Sequence, residues 1–409
     1  MTDRRQFLAG LAAAGALPLA AASSAAGNLV IHFIHTGAGE SVFFVFPDGT
    51  SMLLDCGGDA AINRGKDAVP VLPNGTRHNG EWIARYVRRV NPRGADVDYM
   101  VLSHFHSDHA GTPKWCAGRA SSADGGYALS GFAQAAQQLR FKTAIDRGWP
   151  DYREPALPFG QPEVLENMKK LYAHLARRDG LTVEKIRLGA SDQIVPRQDP
   201  TTCPGFSVRT VCANGKIALP DGTVRDVFGP HRHRCDVAPE NAMSIGFIVT
   251  YGAFRLFTGG DFCDIFREKG AYVCFDDDLA DAVCRVDVAK VNHHGCDSMS
   301  RKLVAALAPR VWTAGVWDQY HMSDSTMALL SDRTIYPGTR LIAPGVYTAE
   351  HRLAAAGKPW LADLAPETFG GAHVVITVPP GGKTYTVEFF DAACEEPRKL
   401  GERRFDSRS

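Results

Sequence analysis

Apolar positions are grouped in short runs over the first third of the chain. "LVIHFIH" (29–35) and "SVFFVF" (41–46) read as strands, "PDGT" as a tight turn, and "SMLLDCGG" (51–58) as a third strand ending in glycines. In "EWIARYVRRVN" (81–91) Trp82, Tyr86, Val87 and Val90 share one face at helical spacing. "PRGADVD" then leads into the apolar run "YMVLS" (99–103). Strand, helix and strand in succession predict an α/β fold.

From about 115 to 200 the strand rhythm stops. "PEVLENMKKLYAHLARRDG" places Val164, Met168, Leu171 and Leu175 on one stripe, with Pro162 at its start and Gly180 past its end, and so predicts an amphipathic helix. The segment is expected to be a largely helical insertion walling one side of a site. Strand signals return at "SIGFIVTY" and "FRLFTGGD" (244–261), then at "VDVAKVNHHG" (286–295), "RVWTAGVW" (310–317) and "GGAHVVITVPPGGKTYTVEFF" (370–390). The closing "EEPRKLGERRFDSRS" (395–409) is charged and is expected to be a solvated tail from 396 onwards. No tandem repeat is present; two strand-rich halves flank the insertion.

The first residues change the picture. "MTDRRQFLAGLAAAGALPLAAASSAAG" carries the pair Arg4–Arg5, an Ala/Leu/Gly run and small residues at Ser24 and Ala26. It looks like a twin-arginine signal peptide over 1–26, which implies a periplasmic or secreted protein whose folded part spans 28–395. No second long apolar stretch follows, so no membrane span is expected in the mature chain. Hydrophobic residues make up 45% and charged residues 22%, an ordinary globular composition, and 45 Lys+Arg balance 45 Asp+Glu. Strong binding of long nucleic acid through its phosphates is therefore not expected. Ten cysteines without a CxxC pair argue against a structural zinc knuckle and leave any disulfide pairing open.

"VLSHFHSDHAGT" (101–112) concentrates the candidate chemistry. His104, His106, Asp108 and His109 lie within six residues where an apolar run ends. Neutral imidazoles and carboxylates are the ligands that zinc and related divalent ions take at about 2.0–2.2 Å. On an irregular turn these four can splay towards two centres.

His-x-His-x-Asp-His after a strand resembles the signature of the metallo-β-lactamase fold, an αββα sandwich whose remaining ligands come from later strand ends. "LFTGGDFCD" supplies Asp261 and "AKVNHHGCDS" supplies His293 and His294, in the order the resemblance requires. "IHFIHTGAGESVFFVFPDGTSMLLDCGG", "ENAMSIGFIVTYGAFRLFTGGD", "VNHHGCDSMS" and "DQYHMSDSTMALL" are most similar to the metallo-hydrolase domain of DNA-uptake competence proteins, the ComEC-like branch. The likeness covers most of 29–335 apart from the insertion. Two features depart from that branch: His35 stands where it usually has an acidic residue, and its membrane channel is missing. A free-standing exported relative is implied.

By that resemblance His104 and His106 hold a first metal ion, Asp108, His109 and His293 a second, and Asp261 bridges them. His294 is the alternative to His293, and His231 or His233 in "GPHRHRCD" is a possible third ligand of the first ion. Asp55 matches a strand-end Asp that supports the metal loop. The implied cofactor is a pair of divalent cations, zinc with manganese or iron as alternatives. The implied activity is hydrolysis with a metal-activated water, on a small or short phosphodiester. Asp108 and His321 are the candidate catalytic residues, His321 as a donor to a non-bridging phosphoryl oxygen or to the leaving group. Neither a Gly-x-Ser-x-Gly elbow nor a P-loop nor a dinucleotide fingerprint is present. Hydrolysis of an amide, ester, lactone or β-lactam at the same site is the second reading, and a binding protein with an idle site the third.

Overall fold

A computed structural model of the chain describes residues 27–58, 70–113, 126–268, 271–296, 298–317, 321–346 and 356–408. The segment read as a signal peptide, Cys116, His351 and the stretch 318–320 before His321 lie outside the described residues.

Strands β1 (Leu29–Phe33), β2 (Val42–Val45) and β3 (Ser51–Leu54) pair antiparallel in sequence. Helix α1 (Asn79–Val90) then crosses over to β4 (Asp96–Val101), which lies parallel to β3. After it come α2 (Ser107–Ala110), α3 (Phe132–Ala135), β5 (Arg140–Asp146), α4 (Pro162–Asp179) and β6 (Thr182–Lys185), and both strands continue the parallel run.

The second half repeats this plan. β7 (Phe206–Ala213), β8 (Lys216–Ala218) and β9 (Val224–Asp226) are antiparallel, as are β10 (Gly246–Tyr251) and β11 (Phe254–Gly259). A small hairpin of β12 (Asp264–Glu268) and β13 (Ala271–Cys274) precedes α5 (Phe275–Leu279). β14 (Val288–Lys290), α6 (Arg301–Leu307), β15 (Val311–Thr313), α7 (Asp324–Ser331) and β16 (Leu341–Ala343) add three parallel strands beside β11. The chain then returns to the first sheet through β17 (Ala372–Val378), β18 (Thr384–Asp391) and β19 (Lys399–Asp406).

Three apolar cores make the layers. Leu29, Ile31, Phe33, Phe44, Tyr99 and Val374 from the first sheet meet Phe247, Val249, Leu256 and Val311 from the second, so the sheets pack face to face. The alternate residues Val30, Phe43, Leu53 and Val97 turn outward against Ile83, Val87, Met168 and Leu171 of α1 and α4. Ile248, Phe257 and Trp312 turn outward against Leu303, Leu307 and Met327 of α6 and α7. With both sheet faces covered, the strands read as continuous apolar runs instead of strict alternation. The result is the αββα sandwich expected from the sequence.

Two expectations need correction. The segment 115–200 contains the expected helix α4, ended by Gly180 in the left-handed region (φ 75°), but also β5 and β6. "RFKTAID" in β5 pairs along β4, so this stretch builds the first sheet as well as walling it. The charged C-terminus is a strand, not a solvated tail. In β19 Phe405 stacks on Tyr385 with centroids 5.2 Å apart, Leu400 packs on the inter-sheet core, and Lys399 pairs with Glu388 at 2.8 Å. A strand with one wet face needs few apolar residues, so its charge hides it from a composition reading.

Candidate metal centre

The candidate side chains come from loops at the carboxyl ends of parallel strands, where open α/β sheets place their ligands. After β3, Asp55 adopts a left-handed backbone (φ 59°) that turns its carboxylate back towards β4. Asp55 Oδ1 accepts from Ser103 N (2.7 Å), and Oδ2 accepts from Ser103 Oγ (2.7 Å) and His109 Nδ1 (2.8 Å). The loop after β4 is pinned at further points: Cys56 N donates to His109 O, Glu40 N to Asp108 O, and Ile245 N to Ser103 O. Side chains hold two of its amides, with Phe105 N donating to Glu240 Oε1 (2.9 Å) and Ser107 N to Gln161 Oε1 (3.1 Å). Gly57 lies so close to this loop that a Cβ there would sit 1.5 Å from Asp108 O. Glycine is required at that position for the approach, not for flexibility.

Asp261 follows β11, with its amide donating to Ser244 Oγ at 3.0 Å. His293 and His294 follow β14 in a turn where both have positive φ (43° and 53°), a strained geometry for non-glycine residues. The turn is held by buried Asp276, which accepts from Asn292 Nδ2 (2.8 Å) and Met299 N (2.9 Å).

These loops bring four side chains to one point. Asp261 Oδ2 lies 2.9 Å from His109 Nε2 and 2.8 Å from His294 Nε2, and Asp108 Oδ2 lies 3.2 Å from His294 Nε2. The opposite ring nitrogens are already committed, His109 Nδ1 to Asp55 and His294 Nδ1 to the carbonyl of Gly315 at 3.1 Å. A ring whose Nδ1–H is donated outward presents Nε2 inward as a ligand atom.

The donor set fits a divalent cation. Two imidazole nitrogens and two carboxylates converge in a buried site, and two further atoms, His104 Nε2 and Asp261 Oδ1, are buried without a hydrogen-bond partner. Asp108 keeps 20% of its side chain exposed, which leaves the centre open to solvent on that side. Burial disfavours imidazolium, but Asp261 and Asp108 outweigh it and hold His109 well above its ordinary range; Asp261 with Asp108 raises His294 to about 9. Burial alone would raise Asp261, yet His109 and His294 hold it well below the usual carboxylate range.

Glu40 was not singled out in the sequence. It also lies beside His109, Asp261 and His294, with potential ligand atoms of the four residues all within 4.8 Å of one another. Its carboxylate sits on the other side of the rings, 3.9 Å from both Nδ1 atoms, and is paired with Lys290 Nζ at 3.0 Å. Lys290 is buried, donates to the carbonyl of Gly260 (3.1 Å) and lies 3.5 Å from Asp261 Oδ1. We therefore place Glu40 behind the ligands as part of a charge-balancing pair. The sequence signal for Glu40 is an acidic residue in a glycine-containing loop, "TGAGES".

The other expected residues divide. His104 and His106 stand side by side with ring centroids 4.7 Å apart, and His104 lies 4.2 Å from His109. His293, expected as the last ligand, is set beside the group with Nδ1 buried and unpartnered, while His294 occupies the place between the two aspartates. The reason is the turn: consecutive left-handed residues direct the two rings apart, with centroids 6.1 Å from each other. His231 and His233 lie in a 3-10 turn (Gly229–Arg234), His233 exposed, and neither belongs to the cluster among the described residues. His321 stacks on His294 at 5.0 Å, and its Nδ1 accepts from Trp317 N at 3.3 Å. His35 is buried, its amide donating to His373 Nδ1 (3.1 Å), outside the cluster.

Comparison with protein families matches residues 35–117 to the metallo-beta-lactamase superfamily. The matched stretch runs from the loop after β1 to just beyond the His-rich turn, and together with the two packed mixed sheets it supports the metallo-β-lactamase sandwich. A search of curated proteins finds no match.

Proposed function

We propose that the protein is a metal-dependent hydrolase acting on a short phosphodiester. The observation that carries this reading is the convergence of Asp108 and Asp261 on the inward Nε2 atoms of His109 and His294. His109, His294, Asp108 and Asp261 would hold one divalent ion, and His104 and His106 a second. Bound there, such ions lower the pKa of water and stabilise charge on an oxygen under attack. The protein supplies the rest. Asp55 and Gly315 fix the ring tautomers, and Lys290 offsets the charge that Glu40 adds behind the ligands.

We assign His321 the role of meeting substrate, because its ring stacks on His294. Its Nδ1 accepts a backbone N–H, so its proton sits on Nε2. Burial, reinforced by His294, lowers its pKa to about 2, so the ring stays neutral at working pH. A neutral Nε2–H serves as a hydrogen-bond donor to a non-bridging phosphoryl oxygen better than as a proton source for the leaving group. The preference for phosphodiesters rests on the likeness of "TGAGES", "TGGD" and "VNHHG" to the ComEC-like branch. Equal numbers of acidic and basic residues favour a short substrate over a long polyanion. We also propose an exported, periplasmic or secreted location from the twin-arginine-type N-terminus.

The test is a side-by-side assay of zinc- and manganese-loaded protein on a phosphodiester, a phosphomonoester, a lactone and a cephalosporin. Turnover of the diester that is lost with chelator and returns with metal is expected. Turnover of the lactone or cephalosporin alone would overturn the substrate class.

A further inference from the structure

Arg147, just after β5, and Glu240, in the 3-10 turn Glu240–Met243 before β10, form an ion pair that is buried on both sides. Arg147 Nε donates to Glu240 Oε1 (2.7 Å) and its terminal nitrogen to Oε2 (2.6 Å), a forked arrangement. The remaining guanidinium nitrogen donates to Asn214 Oδ1 and to the carbonyl of Glu154, both at 3.1 Å, while Asn214 Nδ2 returns a bond to Arg147 O (2.7 Å). The rings of Phe159 (4.5 Å) and Phe105 (5.7 Å) lie against the guanidinium. Removing two charges from water costs much of what their attraction returns, so such a pair contributes little to stability for its own sake.

What the pair holds explains it better. Glu240 Oε1 also accepts the amide of Phe105, in the peptide that joins His104 to Phe105 and so one residue before His106. Arg147 belongs to the first half of the sandwich and Glu240 to the second, so the carboxylate fastens this peptide across the junction of the halves. We infer that the Arg147–Glu240 pair is a positioning device for the metal centre, fixing the Phe105 peptide so that the flanking His104 and His106 rings face the same cation. This rests on the metal reading above. His104 agrees with it: Nδ1 lies 3.1 Å from Ser103 Oγ, and Nε2 is buried with no partner.

The decisive variant is Arg147→Met combined with Glu240→Met. It removes both charges at similar volume, so no lone charge is left buried, and it strips Phe105 N of its acceptor. Zinc affinity is measured by competition with a chromophoric chelator, and the cobalt-substituted protein is examined by visible absorption. The double variant is expected to fold, by circular dichroism of metal-free protein, and to bind zinc about 10–100-fold more weakly, the range for groups that orient ligands. Its cobalt spectrum should change, whereas Glu240→Gln, which keeps an oxygen acceptor for Phe105 N, should retain the wild-type spectrum. Wild-type affinity and spectrum in the folded double variant would overturn the inference. Should the double variant not fold, Glu240→Asp decides. It keeps the charge opposite Arg147 but shortens the reach to Phe105, and unchanged zinc affinity there would be equally fatal. Wild-type protein that binds no zinc would sink the metal reading itself, a different failure.

Discussion

Three buried imidazoles outside the candidate metal centre make the fold acid-sensitive in a calculable way. His32 in β1 is fully buried on the outer face of the first sheet, with Nδ1 3.1 Å from Tyr86 OH. Tyr86 of α1 lies against it and His373 of β17 is near it, His373 in turn being close to His35 and Arg89, and Tyr86 to Glu388. Burial lowers its pKa from 6.5 to about 3, and that of His35 to about 4. The folded values lie below the unfolded one. Below pH 6.5, therefore, the unfolded chain takes up protons that the folded chain refuses. Stability is full above that pH and falls as the pH drops towards the folded values.

At pH 5 the loss from one such group is RT ln(1 + 10^1.5), about 2 kcal/mol, because the folded ring is still neutral whether it titrates at 3 or 4. His32→Phe removes one titrating group. Wild type should lose about 2 kcal/mol more than the variant between pH 7.5 and pH 5. Urea unfolding of metal-free protein at both pH values, followed by circular dichroism, measures the difference. The constant cost of the lost Tyr86 contact cancels in this comparison, as does titration of the histidines at the metal centre. Equal losses in the two proteins would refute the linkage.

Further outcomes are expected. Asp55→Ala orphans Ser103 N, Ser103 Oγ and His109 Nδ1, and should weaken zinc binding about 10–100-fold by chelator competition. His321→Ala should keep its metal content by elemental analysis and lose at least about tenfold in diester turnover, as expected for loss of a donor to the transition state. For a neutral donor to a non-bridging oxygen, the loss should be similar with good and poor leaving groups; restriction to poor ones would make His321 a proton donor instead. Arg4→Lys with Arg5→Lys should retain the protein in the cytoplasm on fractionation, and normal export would refute the twin-arginine reading.

The sequence made the αββα plan legible because both sheets are covered on two faces, which turns each central strand into an apolar run. The His-rich turn was legible for a local reason: its candidate ligand residues are contiguous. β19 was not, since an edge strand with a wet face carries Glu402, Arg403 and Arg404 as a tail would. Nor was the support of the site. Glu40 with Lys290, and Arg147 with Glu240, are partners far apart in the chain, brought together only when the two sheets meet. The choice between His293 and His294 depended on two backbone dihedrals that adjacent identical residues do not reveal.

The most direct test of the metal centre is a zinc titration of metal-free protein by calorimetry, run in parallel on wild type, Asp261→Ala, His294→Ala and His293→Ala. The account predicts tight binding by wild type. Asp261→Ala and His294→Ala should each lose more than about 100-fold in affinity, beyond the range for groups that merely orient ligands, and His293→Ala should lose less than about tenfold. Wild type that takes up no zinc, or affinity that survives the loss of His294 and collapses with the loss of His293, would contradict it.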